Sequence, residues 1–336
     1  MNIAENISLK SYNSFGIDVS ARYFAKFSST NGLLSLLQDP RAKNLLVLGG
    51  GSNILFTKQY DGFIIKNELK GIEVLREDSE FYYVKAQAGE NWHSFVQYCI
   101  EHNNAGVENL SLIPGNVGAS PMQNIGAYGV EIRNVFYELE ACHLKEHTIH
   151  TFGLADCYFG YRESVFKNKY VNQFAIINVT FQLRKQPEFH TGYGAIEQEL
   201  AKMQISELTI KAISEAVISI RRSKLPDPAK MGNAGSFFKN PLIPVTQFEE
   251  LKKSYPSIPG YPAQENKIKI AAGWLIEQCG WKGYRKSDAG CYDKQALVLV
   301  NYGCATGQEI LALSELIIQT VTAKFHIVLE KEVNII

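Results

Sequence analysis

One small-residue run, Gly232-Asn233-Ala234-Gly235-Ser236-Phe237-Phe238-Lys239-Asn240-Pro241, packs a hydroxyl, a cation and an amide into five positions. Ser236 supplies the hydroxyl, and the glycines let backbone approach a ligand closely. The entry Leu225-Pro226-Asp227-Pro228 is rigid and cannot be helical. A glycine-bearing hairpin turn accounts for the same residues without any chemistry. Arg162 stands among Tyr158, Phe159 and Tyr161 with Glu163 beside it. Its guanidinium suits a two-pronged grip on a carboxylate, or equally a structural stack or ion pair. Near the end, a period of two puts Glu330 and Glu332 on one face of an expected strand. They are a solvated edge or a catalytic acid, and spacing does not choose.

Two further stretches have the composition of ligand cradles. The apolar strand 44–48 runs into Gly49-Gly50-Gly51-Ser52-Asn53, whose bare backbone suits phosphate oxygens. It lacks the Lys-Ser/Thr pair of a Walker loop and the spacing of a dinucleotide fingerprint. A tight connecting turn is the alternative. From Leu110 to Val130 there is no charge, although residues 113–129 hold four glycines and two prolines. A covered loop must satisfy its backbone polar groups on something. A large flat ligand lying on those groups is the economical answer.

The elements that position these residues follow from periodicity. Strands are expected at 22–28, 44–48 and 62–66, with a helix at 30–37 capped by Thr30. A hairpin at 71–78 and 81–88 precedes an amphipathic helix from Asn91 to Asn103. Strands at 135–144, 149–152 and 174–183 follow, the last placing Ala175, Ile177, Val179 and Phe181 on one face. After Pro187 the pattern turns helical, at 195–203 and 209–223, and a domain boundary falls near residue 220. The last third reads as helices at 245–254 and 268–279, a strand at 296–301 and a long helix started by a Thr306/Glu309 capping box. A strand at 326–336 closes the chain.

At 336 residues, two or three domains are expected. Thirty-four basic residues balance thirty-four acidic ones, so no global field recruits nucleic acid or a membrane. The start MNIAENISLK has no signal-peptide core, and a cytoplasmic protein is expected. Six cysteines form no C-x-x-C pair and seven histidines form no ligand pair, so no metal site is expected. Cys99 and Cys279 read as buried thiols.

The motifs together resemble the UDP-N-acetylenolpyruvoylglucosamine reductase family, in its form with an extra tyrosine loop. The resemblance rests on GGGSN at 49–53, IPGNVGASPMQNIGAYG at 113–129, GYRES at 160–164 and SKLPDP at 223–228. It continues through GNAGSFFKNP at 232–241, AAGWLIEQCG at 271–280 and LEKEV at 329–333. It implies an α+β chain: an FAD-binding fold of the vanillyl-alcohol-oxidase (PCMH) type in two subdomains, plus a third, substrate-binding α+β domain. The implied limits are 1–68 joined by the strand 326–336, then 69–220, then 221–325.

The implied activity is reduction of the enolpyruvyl group of UDP-N-acetylglucosamine enolpyruvate to UDP-N-acetylmuramate for peptidoglycan, in the bacterial cytoplasm and as a monomer. FAD is the implied cofactor and NADPH the hydride donor. By the resemblance, the FAD diphosphate falls to Gly49, Gly50, Gly51, Ser52 and Asn53. The rest of the cofactor falls to Pro114, Gly115, Gly118, Ala119, Ser120, Gln123, Asn124, Gly126, Ala127 and Ile176. Ser236 is the implied proton donor to the α-carbon, with Arg162 and Glu332 stabilising the enolate; the motif match selects Glu332 over Glu330. Tyr128, Tyr193, Lys224, Asn240 and Gln295 are implied for the sugar nucleotide. Asn334 stands where the family usually has arginine, which puts any side-chain role there in doubt. Two other readings are an FAD oxidase of the same fold acting on a small alcohol, and a flavin-binding protein without catalysis.

Overall fold

The computed structural model describes residues 2–193, 195–263 and 266–336. Contacts divide the chain into two compact units. The first comprises Met1–Ile7, Ala21–Gly51 and Asp61–Ser223; the second comprises Ser8–Ser20, Ser52–Tyr60 and Lys224–Ile336.

The first unit holds two sheets. One runs in the order Ala4–Ser8, Ser20–Phe27, Tyr60–Asn67, Leu45–Leu48. Its last two strands are parallel, with Leu46 opposite Ile64, as their continuous apolar sequences require of buried parallel strands. The helix Thr30–Leu37 buries Leu33 and Leu36 in the same core. Its cap is Ser29, whose hydroxyl accepts from Gly32 N, one residue before the expected Thr30.

The other sheet is antiparallel, in the order Ile149–Gly153, Phe136–His143, Phe174–Arg184, Phe81–Gln87, Ile72–Glu77. The helix Trp92–Glu101, capped by Asn91, packs Trp92 and Phe95 against Phe181 of the central strand. That strand does not keep one apolar face. Its pairing with Phe136–His143 steps from Asn178 to Ile176, so Ile177 is bulged out of register. The bulge reverses the alternation. Ala175 and Ile177 therefore join the core of the first sheet, while Val179 and Phe181 join that of the second.

The second unit is also built on sheets. The small-residue run 232–241 is not a hairpin turn. Gly232–Ser236 is a strand, paired with Val298–Asn301 through a bulge between Asn233 and Ser236. Beyond it lie Ala289–Cys291 and Arg285–Lys286. The expected helix 268–279 divides in two. Lys267–Ile270 alternates as Lys-Ile-Lys-Ile and is the central strand between Leu242–Pro244 and Gly260–Pro262. Only Ala272–Gln278 is helical. The long helix Gly307–Phe325 starts at the expected Thr306/Glu309 capping box. The chain after it is mostly irregular: Lys331 bridges Phe238, and only Asn334–Ile335 forms a strand, parallel to Ile54–Leu55. Among the described residues no helix is long and apolar enough to cross a membrane. Cys99 is buried as expected, whereas Cys279 is only half-buried.

Phe15 and Ile17, from the unit's earliest segment, enter its core beside Phe237. Their approach depends on Gly232, where an added Cβ would lie 2.1 Å from the Phe15 carbonyl oxygen. Because both partners are backbone, no side-chain rotation relieves the overlap. Gly232→Ala is expected to cost about 1–3 kcal/mol or more, read as a lower urea midpoint at unchanged slope.

Candidate functional site

In the first unit the glycine loop leaves the parallel strand after fully buried Leu48 and turns at Gly51, whose φ of 64° suits glycine. Gly50 lies so close to the uncharged stretch that an added Cβ would be 2.8 Å from Gly115 Cα. The two sequence-predicted cradles thus meet. Lys66 lies beneath them and donates to the Gly49 carbonyl at 2.7 Å, with burial pushing its pKa down. Sequence reading passed over this lysine because it sits in an ordinary strand.

The stretch 113–129 is pinned to the end of the strand Phe81–Gln87. Gly118 N donates to Ala88 O, Val117 N to Glu90 O, and Trp92 N to Gly115 O. A Cβ at Gly118 would lie 2.5 Å from Ala88 Cβ. Part of the backbone demand assigned to a ligand is therefore met by the protein itself. Ser120 is buried and donates to Val117 O. Asn124, fully buried with φ of 44°, donates to Glu131 and Gly160 O and accepts from Arg133 N. These two side chains hold the stretch in shape. Ile176 is buried in the sheet, and its carbonyl accepts from Asn67. Gly126 and Ala127 form a short strand pairing with Val130–Glu131.

Arg162 sits at φ 57°, a strained conformation for a side-chain-bearing residue. Its Nη2 donates to Gly126 O at 2.7 Å, and its guanidinium lies 5.5 Å from the Tyr161 ring centroid. Next to it, Ser164 donates to Met122 O, tying this segment to the uncharged stretch. Arg162, Gly126 and Tyr128 are thus neighbours through their shared segment. Tyr193 is exposed, with its Cβ 3.3 Å from where a Cβ on Gly129 would stand.

Arg221 is a further residue that the sequence patterns do not single out. Burial pulls its pKa down, Tyr128 opposes that and Arg162 adds to it. Its Nε is buried without a hydrogen-bond partner among the described residues. A buried N–H without an acceptor, on a half-buried guanidinium near a second one, is costly. An anionic ligand relieves that cost. No periodicity distinguishes such an arginine from a surface one.

In the second unit, Ser236 ends its strand half-buried, and its hydroxyl makes no hydrogen bond among the described residues. A Cβ on neighbouring Gly235 would meet nothing within 4 Å, so space opens beside it. Phe237 and Phe238 are buried beneath, at 0% and 1% exposure. The closing segment is stitched to this run: Lys239 N donates to Glu330 O and Glu332 N to Phe237 O. Ser236 and Glu332 are thereby brought together at the level of the backbone. The side chains of the two glutamates differ. Glu330 pairs with the buried ammonium of Lys239 at 2.5 Å, which gives it a structural partner. Asn53 donates to the Glu332 carbonyl at 3.3 Å. Its own carbonyl accepts from the backbone and side chain of Asn334, so the side chain at the departing position serves as a local clip.

Asn240 and Gln295 meet at the start of the helix Ala272–Gln278. Asn240 Oδ1 accepts from Ala272 N at 2.9 Å, and Gln295 Oε1 would be 2.9 Å from a Cβ on Gly273. Lys224 is the exposed last residue of the helix Ile210–Lys224.

Comparison with known proteins places this geometry in a lineage. Residues 21–151 match an FAD binding domain. Residues 227–336 match the C-terminal domain of UDP-N-acetylenolpyruvoylglucosamine reductase. The chain is 50% identical, over 100% of both chains, to the UDP-N-acetylenolpyruvoylglucosamine reductase of Flavobacterium johnsoniae. It is 51% identical, again over 100% of both, to that of Amoebophilus asiaticus. Among solved structures, the reductase of the same name from Thermus caldophilus superposes with a TM-score of 0.69 at 22% identity, covering 100% of this chain and 99% of that one. That likeness establishes an α+β FAD-binding fold.

Proposed function

The chain belongs to the UDP-N-acetylenolpyruvoylglucosamine reductase family, and from that premise we propose that it reduces enolpyruvyl-UDP-N-acetylglucosamine to UDP-N-acetylmuramate, using FAD and NADPH. The full-length match to the reductases carries this reading. The residues present also fit the cofactor. Gly50 abuts Gly115 where any side chain would collide, and the buried Nε of Arg221 lacks an acceptor among the described residues. Both features suit a close-lying anionic ligand.

Gly49 to Asn53 hold the FAD diphosphate, and the 113–127 residues with Ile176 hold its remaining length. When bound, FAD relays a hydride from NADPH to the methylene carbon of the enolpyruvyl group. Negative charge then develops toward the substrate carboxylate, where the Arg162 guanidinium and Glu332, in its protonated form, lower its energy. Ser236 gives its proton to the α-carbon, completing addition of one hydride and one proton across the double bond. Lys224, Asn240 and Tyr193 bind the diphosphate, and Tyr128 and Gln295 bind the rest of the sugar nucleotide. The three-part division at residues 68 and 220, a monomeric state and a cytoplasmic location belong to the same proposal.

Purified protein is expected to be yellow and to oxidise NADPH slowly until the enolpyruvyl sugar nucleotide is added. The test is the absorption spectrum during anaerobic addition of NADPH, then of substrate. Bleaching by the first and recovery on the second is the expected sequence. A folded, colourless protein, or bleached protein that substrate does not reoxidise, excludes the reading.

A further inference from the structure

We propose that Asn109 is a positioning residue for the sugar-nucleotide site, setting Tyr128 and the Tyr193 segment against each other through one buried amide. The inference rests on the assignment of these two tyrosines to the substrate. Asn109 is 1% exposed. Its Nδ2 donates to Tyr128 O at 3.0 Å and to His190 O at 2.8 Å, so both amide hydrogens are used on two segments far apart in sequence. Among the described residues no backbone N–H donates to either carbonyl outside the helices and strands.

Three observations make this more than a core contact. First, Asn109 Oδ1 is buried and has no partner among the described residues. Leucine would occupy similar volume without that desolvation cost, so the donor half of the amide is what the position retains. Second, Tyr128 is held at φ 51°, a conformation that side-chain-bearing residues keep only when their surroundings enforce it. The bond to its carbonyl is such an enforcement. Third, the tyrosines themselves are close to the clasp. Tyr193 stands over Gly129, the residue after Tyr128. Fixing the carbonyls of Tyr128 and His190 therefore fixes where both phenols are presented. The clasp is anchored from behind by a polar network: Ser111 donates to Glu108 O and meets Ser214 Oγ at 2.7 Å, while His93 accepts from Leu112 N.

The test uses the FAD-loaded full chain carrying Asn109→Leu, alone and in a Tyr193→Ala background. Measured quantities are FAD content, melting temperature, kcat and KM for the enolpyruvyl sugar nucleotide. Asn109→Leu is expected to raise that KM about 10- to 100-fold, as small misplacements of binding groups do, with FAD content retained. In the Tyr193→Ala background the same substitution is expected to raise KM clearly less, by only the part that passes through Tyr128. An equal rise in both backgrounds, or an unchanged KM accompanied only by a lower melting temperature, overturns the proposal. If Asn109→Leu does not retain FAD, Asn109→Gln and Asn109→Asp are compared. Glutamine, which keeps the donor, is expected to preserve KM better than aspartate, and the reverse order overturns the proposal. Failure of the unmodified protein to reduce the sugar nucleotide strikes the functional reading instead, and is distinguishable from all of these.

Discussion

Ser236→Ala is expected to leave NADPH reduction of the bound flavin intact and to slow its reoxidation by substrate by about 10²–10⁴-fold or more. The substitution removes one oxygen at the end of a strand. That oxygen makes no hydrogen bond among the described residues, so no internal bond is lost. Phe237 and Phe238 keep the strand anchored in the core. Stability should hold while proton delivery fails, a separation that stopped-flow absorbance of the two half-reactions reads directly. A serine hydroxyl is a weak acid, but the enolate of a carboxylate is a much stronger base, so transfer runs downhill once hydride has arrived. Normal turnover by the alanine variant would remove the serine from the mechanism.

Arg162→Ala is expected to slow the same half-reaction by about 10²–10³-fold, the usual loss for a donor aimed at developing negative charge. Here a structural effect must be separated from a chemical one. Arg162 also donates to Gly126 O and occupies a left-handed backbone. Arg162→Lys provides the separation, since it keeps the charge but loses the planar fork. If two-pronged contact with the carboxylate matters, lysine restores less than about a tenth of the lost rate while FAD content stays at the parental level. An alanine variant with an undamaged half-reaction would make the arginine structural.

The motifs were legible because each needs unusual residues at fixed places. GGGSN and the uncharged 113–129 stretch stand out by composition alone, and in the fold Gly50 lies against Gly115. The Thr306/Glu309 box was equally plain, because capping is local chemistry. What escaped depends on partners distant in sequence. Lys267–Ile270 reads as the start of a helix until strands exist on both sides of it. The bulge at Ile177 cannot be seen in a run of apolar residues that is buried on both faces. Glu330 and Glu332 were indistinguishable by spacing, and the ion pair of Glu330 with Lys239 is seen only in the fold. Arg221 and Asn109 went unremarked for the same reason, since an orphaned or divided hydrogen bond is a property of the folded surroundings.

The second unit gathers three lengths of chain, Ser8–Ser20, Ser52–Tyr60 and Lys224–Ile336. The last of these ends by laying Asn334–Ile335 beside Ile54–Leu55, with Thr57 bonding to the carbonyl of Ile336. A chain emerging from the ribosome therefore exposes Phe15, Ile17 and Leu55 for almost the whole of its synthesis before their core exists. Residues 61–223 of the first unit have no such wait. Folding during synthesis should accordingly be ordered, with the first unit protected early and the second arriving only once residues 224–336 have emerged. Until then its early segments are apolar surface in search of a partner, the condition in which nascent chains call on chaperones.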